Sequence, residues 1–342
     1  MNTTRHENEA PARTALVLGA TGGVGGAVAD ALLGRGWTVR GMARDPAKAA
    51  GARGRAAGID WVAGDALVRD DVARAAQGVQ VIVHAVNPPG YKDWATTVLP
   101  MIDNTVAAAR AAGGARILLP GTIYNFDPAT TPVLRETSPQ RPRSRKGAIR
   151  KELETRLEAA SGEVPALIVR AGDFFGPRVR SSWFAQAMVT PGQRVRRIVN
   201  PARGVGHAWA YLPDLAEAMV RLLDAPERLR AFERVGFEGF WDADGSAMPA
   251  AVRAAVGSER IPERAFPWWL MRVLAPFGGF PREAVDILPV WRNPVRIDNV
   301  RLVELLGAEP RTPVVEAVRA TLAGLDCLPS DKPAAPVREQ PA

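Results

Sequence analysis

A glycine cluster is the first place in this chain where residue type and spacing point to chemistry. The stretch "LVLGATGGVGGAV" spans residues 16–28, and Gly19, Gly22 and Gly25 fall three apart. One glycine lets the chain turn sharply out of a strand. A second lets backbone N–H groups approach a phosphate with no Cβ between, and a third lets the next helix pack close. That helix adds free N–H groups and a positive dipole end. Thr21, Gly22, Gly23, Val24 and Gly25 are therefore candidate holders of a dinucleotide pyrophosphate, against the plainer reading of a tight strand–helix turn. Further on, "WTVRGMARDP" ends a second strand near Ala43. A site for an unphosphorylated ribose places an acidic residue there. Arg44 follows instead and can pair with a 2′-phosphate, with Arg40 on the same strand face; Asp45 is the residue that could serve NAD. The expected cofactor is NADP(H) in preference to NAD(H).

These groups need a scaffold, and the apolar pattern supplies one. Short apolar runs at 15–18, 37–44, 59–65, 79–86, 115–121 and 163–172 alternate with helical stretches near 25–35, 70–77 and 96–112. Before the last run, Ile149, Leu153 and Leu157 recur at i, i+4 and i+8, one apolar stripe of a helix. Strands alternating with such helices predict right-handed crossovers and a parallel sheet buried on both faces. After Gly176 prolines, tryptophans and longer loops appear, and "YLPDLAEAMVRLLD" at 211–224 reads as a helix returning to the sheet. The expected division is a tail at 1–12, a nucleotide-binding domain at 13–176 joined by 207–226, a smaller lobe at 177–328 and a tail at 329–342.

Composition removes several classes. Of the 342 residues, 47% are hydrophobic and 23% charged, an ordinary globular balance. The single cysteine, Cys327, rules out an internal disulfide and fits a reducing compartment. His6, His84 and His207 lie far apart and show no ligand spacing, so no metal is expected. The N-terminus has no apolar core of a signal peptide, and no run is long enough to span a membrane, so a cytoplasmic location is expected. The net charge of +8 comes almost wholly from scattered arginines with no interleaved stacking aromatics, which argues for an anionic ligand rather than nucleic acid.

Motif order then brings a family into view. "GATGGVG" resembles the glycine motif of extended and atypical short-chain dehydrogenases/reductases. "AGD" at 63–65, "VHAVNPP" at 83–89, Asn104, "VRAGDFFGP" at 169–177 and "HAWAYLPDLAEAM" at 207–219 resemble later landmarks of that family in the same order, over about residues 14–325. The resemblance implies a Rossmann-like doubly wound α/β fold with a small C-terminal substrate lobe. It places Asp65 and Ala66 at the adenine, Ala85 and Asn87 beside the nicotinamide ribose, and Asn104 as a structural support. It also implies hydride transfer on a carbonyl or hydroxyl group through a Tyr-x-x-x-Lys pair.

That pair is missing. The three tyrosines, Tyr91, Tyr124 and Tyr211, are followed four residues later by Ala95, Pro128 and Leu215. Aligning Glu154 with the family pattern puts Lys146 in the tyrosine slot and Arg150 in the lysine slot; a one-residue shift gives Gly147 and Lys151. Three readings stay open. The chain is a reductase or epimerase-like enzyme with another acid, drawn from Thr122, Tyr124, Lys146 and Arg150. Or it is a non-catalytic NADP(H) sensor that acts through a partner. Or the basic stretch 141–151 recognises an anionic substrate such as a nucleotide sugar. Tyr91, Trp94, Phe174, Phe175, Trp183 and Trp209 fall in segments that the resemblance places around the substrate, which implies a hydrophobic or planar molecule. His207 is read as structural. The apolar segment 263–280 is read as a lobe core helix broken at Pro276 and the following glycines, with a membrane-surface helix or substrate lid as the alternative. A homodimer is an open expectation.

Overall fold

The computed structural model describes residues 13–53, 58–88 and 94–328. Its central sheet has seven strands: β1 (Thr14–Leu18), β2 (Thr38–Ala43), β3 (Ile59–Ala63), β4 (Val81–His84), β5 (Arg116–Gly121), β6 (Ala166–Arg170) and β7 (Phe232–Gly236). The helices are α1 (Gly23–Gly34), α2 (Pro46–Arg53), α3 (Arg69–Ala75), α4 (Trp94–Ala111), α5 (Arg145–Ala160) and α6 (Leu212–Leu223). The spatial order is β7-β6-β5-β4-β1-β2-β3, every pair parallel. Strand order reverses between β1 and β4, which opens a crevice at their C-terminal ends.

Strand alternation builds two cores from one sheet. Ala15, Val17, Val83 and Leu167 face α1 and α6. Their neighbours Leu16, Leu18, Ile82 and Ile168 face α3, α4 and α5. Leu153 and Leu157 of the α5 stripe are fully buried there, with Ile149 packed at the margin.

β7 lies outside the segments expected to join this sheet. "FERVG" carries two charges in five residues and does not read as a buried strand. Tertiary partners make it one: Glu233 is fully buried but accepts from Arg301 at 2.9 Å and from the Arg230 N–H at 3.0 Å. These contacts hold the Glu233 carboxyl below its usual range against the opposing effect of burial, and Arg301 is the largest source of that hold.

The second lobe adds a three-stranded sheet of Asp173–Phe175, His207–Tyr211 and Phe240–Asp242, and an aromatic core around Trp183, Trp209, Trp268 and Trp291. The segment 263–280 departs from a plain core helix. It breaks where Pro276 and the glycines predict, into Trp268–Leu274, a turn at Ala275–Phe277 and a helix at Gly279–Asp286. Trp268 is buried, yet Trp269 is 70% exposed and Phe277 86%. One side alone is core, because the short helix lies at the lobe surface with Trp268 buried and Met271 packed against the core, while Trp269, Val273 and Leu274 face outward. Among the described residues, no helix is long and apolar enough to cross a membrane.

Candidate functional site

The glycine loop is shaped by close backbone approach. Gly19 leaves β1 at φ +89°, and a Cβ there would stand 2.5 Å from the Ala85 carbonyl oxygen on the neighbouring β4 loop. A Cβ on Gly25 would stand 2.3 Å from the Gly19 carbonyl oxygen. The Gly22 N–H closes the turn on that same oxygen at 2.9 Å. α1 begins at Gly23 with no side chain capping it, so the N–H groups of Gly23, Val24 and Gly25 have no carbonyl one turn back to meet. A cradle without Cβ atoms, at a helix N-terminus and a strand-order reversal, fits the pyrophosphate of a dinucleotide.

On the adenine side, Arg44 is exposed just past β2. Asp45 accepts from the Lys48 N–H at 3.0 Å and so caps α2. Arg40 is turned elsewhere: it donates to the carbonyls of Ala75 and Gln77 at 2.6 and 3.0 Å and closes the end of α3. Strand alternation puts Arg40 on a face but does not choose its partner. The loop bearing Asp65 and Ala66 is held from two sides. Asp71 accepts from the Asp65 N–H at 3.0 Å, and the Asn104 amide donates to the Ala66 carbonyl at 3.0 Å. The Asp65 N–H, followed by Arg74, holds the Asp71 carboxyl below its usual range.

A cleft of about 850 Å³, open to solvent, continues from Val24 along the ends of β4, β5 and β6. It gathers Ala85, Asn87, Thr122, Tyr124 and Arg150, which the sequence singles out, with His84 and Asp173, which it does not. The buried Arg150 donates to Asn87 Oδ1 at 2.7 Å, and its guanidinium lies 5.0 Å from the Trp94 ring centre. The Thr122 hydroxyl oxygen accepts from the Tyr124 N–H at 2.9 Å, which leaves its proton to give. The loop beneath rests on a buried ion pair. Arg170 bonds both oxygens of Glu154 at 2.9 and 2.8 Å and also donates to the Thr122 carbonyl; Asn125 and Gln140 donate to the same carboxylate at 2.8 and 2.6 Å. α5 presses on this loop at Gly147, where a Cβ would fall 2.0 Å from the Tyr124 carbonyl oxygen.

Lys146 does not line this cleft. Its ammonium sits 2.5 Å from Glu283 Oε2 and donates to the Glu283 carbonyl at 3.2 Å, in a hollow shared with Trp183 and Phe280. Helix spacing sets Lys146 and Arg150 on one side of α5, yet different neighbours draw them to different places.

The NAD dependent epimerase/dehydratase family model matches residues 15–235, well over half the chain. This chain belongs to that family. The epimerase/dehydratase fold recurs in solved structures along nearly the whole length. A UDP-galactose 4-epimerase superposes with a TM-score of 0.65 at 17% identity, over 92% of this chain and 98% of that one. The Bordetella bronchiseptica enzyme WbmH, solved with NAD+, gives 0.65 at 18% identity, over 91% and 97%. The UDP-Glc/GlcNAc 4-epimerase of Campylobacter jejuni gives 0.68 at 13% identity, over 92% and 99%. At these identities the likeness is one of fold. A search of curated proteins finds no match.

Two cleft residues of this family member escape sequence reasoning. His84 ends β4 beside the crevice and is 3% exposed. The Thr105 hydroxyl gives its proton to the Met101 carbonyl at 2.9 Å, so the 2.9 Å contact to His84 Nδ1 assigns an Nδ1–H donor and leaves Nε2 an acceptor. Burial, reinforced by Arg150, pushes His84 down to about 3 and keeps it neutral. Asp173 receives His207 Nε2 at 2.8 Å, and His207 stacks on Trp291 at 4.0 Å. The only sequence signal for either is position at a strand's C-terminal end. Of the expected aromatic wall, Trp94, Phe174 and Trp183 line the cleft. Phe175 and Trp209 are instead 1% exposed in the lobe core, where strand alternation sends them. Tyr91 lies outside the described residues.

Proposed function

We propose that this epimerase/dehydratase-family protein binds NADP(H) and acts as a hydride-transfer oxidoreductase or epimerase-like enzyme on a carbonyl or hydroxyl substrate. The observation that carries the reading is the Arg150–Asn87 contact at the mouth of the glycine cradle, with Thr122 and Tyr124 in the same cleft. Arg150 takes the lysine slot and presents a permanent cation to the ribose side. The bound nicotinamide supplies the hydride acceptor or donor. Thr122 holds the substrate oxygen, and Tyr124 gives or takes its proton in place of the missing family tyrosine. Lys146, committed to Glu283, serves α5 and the lobe. An open cleft with hydroxyl donors supports an enzyme over a sensor that needs no such space.

Arg44 supports NADP(H), since the nearby Asp45 is engaged in capping α2 and no other acidic group ends β2. The solved neighbours named above for UDP-sugars suit a diphosphate substrate. Here Trp94, Phe174 and Trp183 on the cleft wall, with the Asp173 carboxylate, favour an uncharged planar or apolar one. The single cysteine supports a cytoplasmic location.

The test is a titration with NADPH and NADH, read by nicotinamide fluorescence and tryptophan quenching. Wild type binds NADPH more tightly. Arg44→Ala loses about tenfold or more for NADPH, the order expected of one charged contact, and leaves NADH unchanged. A carbonyl-substrate screen then follows with Tyr124→Phe and Arg150→Ala, both expected to lower turnover. If neither nucleotide binds, the reading is overturned.

A further inference from the structure

Five of the nine large hydrophobic side chains exposed among the described residues fall within twelve positions: Trp269, Val273, Leu274, Phe277 and Phe280. Trp269, Val273 and Phe277 recur at i, i+4 and i+8 across the helix Trp268–Leu274 and its following turn. Three arginines, Arg264, Arg272 and Arg282, are exposed in the same segment, and no carboxylate occurs between the first and the last. The flanking acids are engaged. Glu263 pairs with Arg253 at 3.4 Å and accepts from Asn200 at 2.9 Å. Glu283 is held by Lys146, and Asp286 accepts from the Arg145 N–H at 3.3 Å. The break between the two helices is also sealed, because Arg282 donates to the carbonyls of Ala275 and Pro276 at 3.4 and 3.1 Å.

We propose that this segment docks the protein on the surface of an anionic phospholipid bilayer. Exposed tryptophan and phenylalanine with a cationic rim are the elements of interfacial binding. Aromatic rings settle at headgroup depth, and arginines bury their stems while keeping the charge at the phosphates. A segment with exposed arginines, no acid between them and its flanking acids paired with internal cations complements a negative membrane. Sealed carbonyls matter where water thins out. The docked face adjoins the cleft: Phe280 packs on Trp183 at 5.8 Å, and Trp183 lines both the Lys146 hollow and the cleft. The docking stands independently of which nucleotide the cleft takes.

The full chain is sedimented with phosphatidylcholine vesicles, with and without phosphatidylglycerol. Wild type is expected to pellet with the anionic vesicles and to be released by salt. Trp269→Ala with Phe277→Ala lowers the partition coefficient about tenfold or more, and Arg272→Gln about fivefold. Both aromatic positions are exposed, so melting temperature is expected to hold, which separates lost docking from lost fold. Three results overturn the proposal: no pelleting with either vesicle, equal pelleting of wild type and the double variant, or a dimer that the double variant abolishes while vesicles bind nothing.

Discussion

Gly25 shows how one atom can decide a site. Its absent Cβ is what lets the Gly19 carbonyl reach the first turn of α1. Gly25→Ala is expected to lower stability by about 1–3 kcal/mol and to abolish NADPH binding, measured by thermal melting and titration. His84 carries a pH signature. Its folded pKa, about 3, lies below the unfolded value near 6.5, so the unfolded chain binds the extra proton. The stability it contributes is complete above pH 6.5 and is lost as pH falls toward 3. At pH 5.5 the loss is on the order of 1 kcal/mol, before most carboxylates titrate. The fall in melting temperature between pH 7.5 and 5.5 should therefore be smaller in His84→Asn than in wild type. At this scale the glycines were readable from sequence, since their type and spacing are the mechanism. His84 was not, because nothing local announces that the ring ending β4 will lie near a cation from α5.

Between elements, the buried Glu154–Arg170 pair ties α5, β6 and the Thr122 loop together. Removing one partner strands a buried charge and is expected to cost about 3–5 kcal/mol, whereas replacing both with leucine recovers much of that. The double variant should nonetheless stay catalytically impaired, since the Thr122 carbonyl keeps no anchor; melting and turnover measured on all three variants separate the two effects. The alternation of strand and helix was plain in the sequence, as was the α5 stripe, because each follows a fixed period. β7 was hidden: its charges read as surface until Arg301, from a helix far along the chain, arrives to neutralise Glu233. The partners of Arg40 were hidden for the same reason, being carbonyls at the end of α3.

For the molecule as a whole, ligand binding is linked to folding. NADPH at a hundred times its dissociation constant should stabilise the protein by about 2.7 kcal/mol, visible as a rise in melting temperature that Arg44→Ala diminishes at the same concentration. The sequence alone determined the parallel sheet and the glycine loop, since these arise from periodicity and the missing Cβ, while the crevice follows from the strand order. It also determined that the usual tyrosine–lysine pair is absent. Only the tertiary structure decided that Arg150 turns to the cleft while Lys146 turns to Glu283, and that an apolar segment which reads as core presents Trp269 and Phe277 to the outside. Local rules act through bond geometry within a few residues. The partner of a long charged side chain, and the covering of an apolar face, depend on which distant element packs opposite.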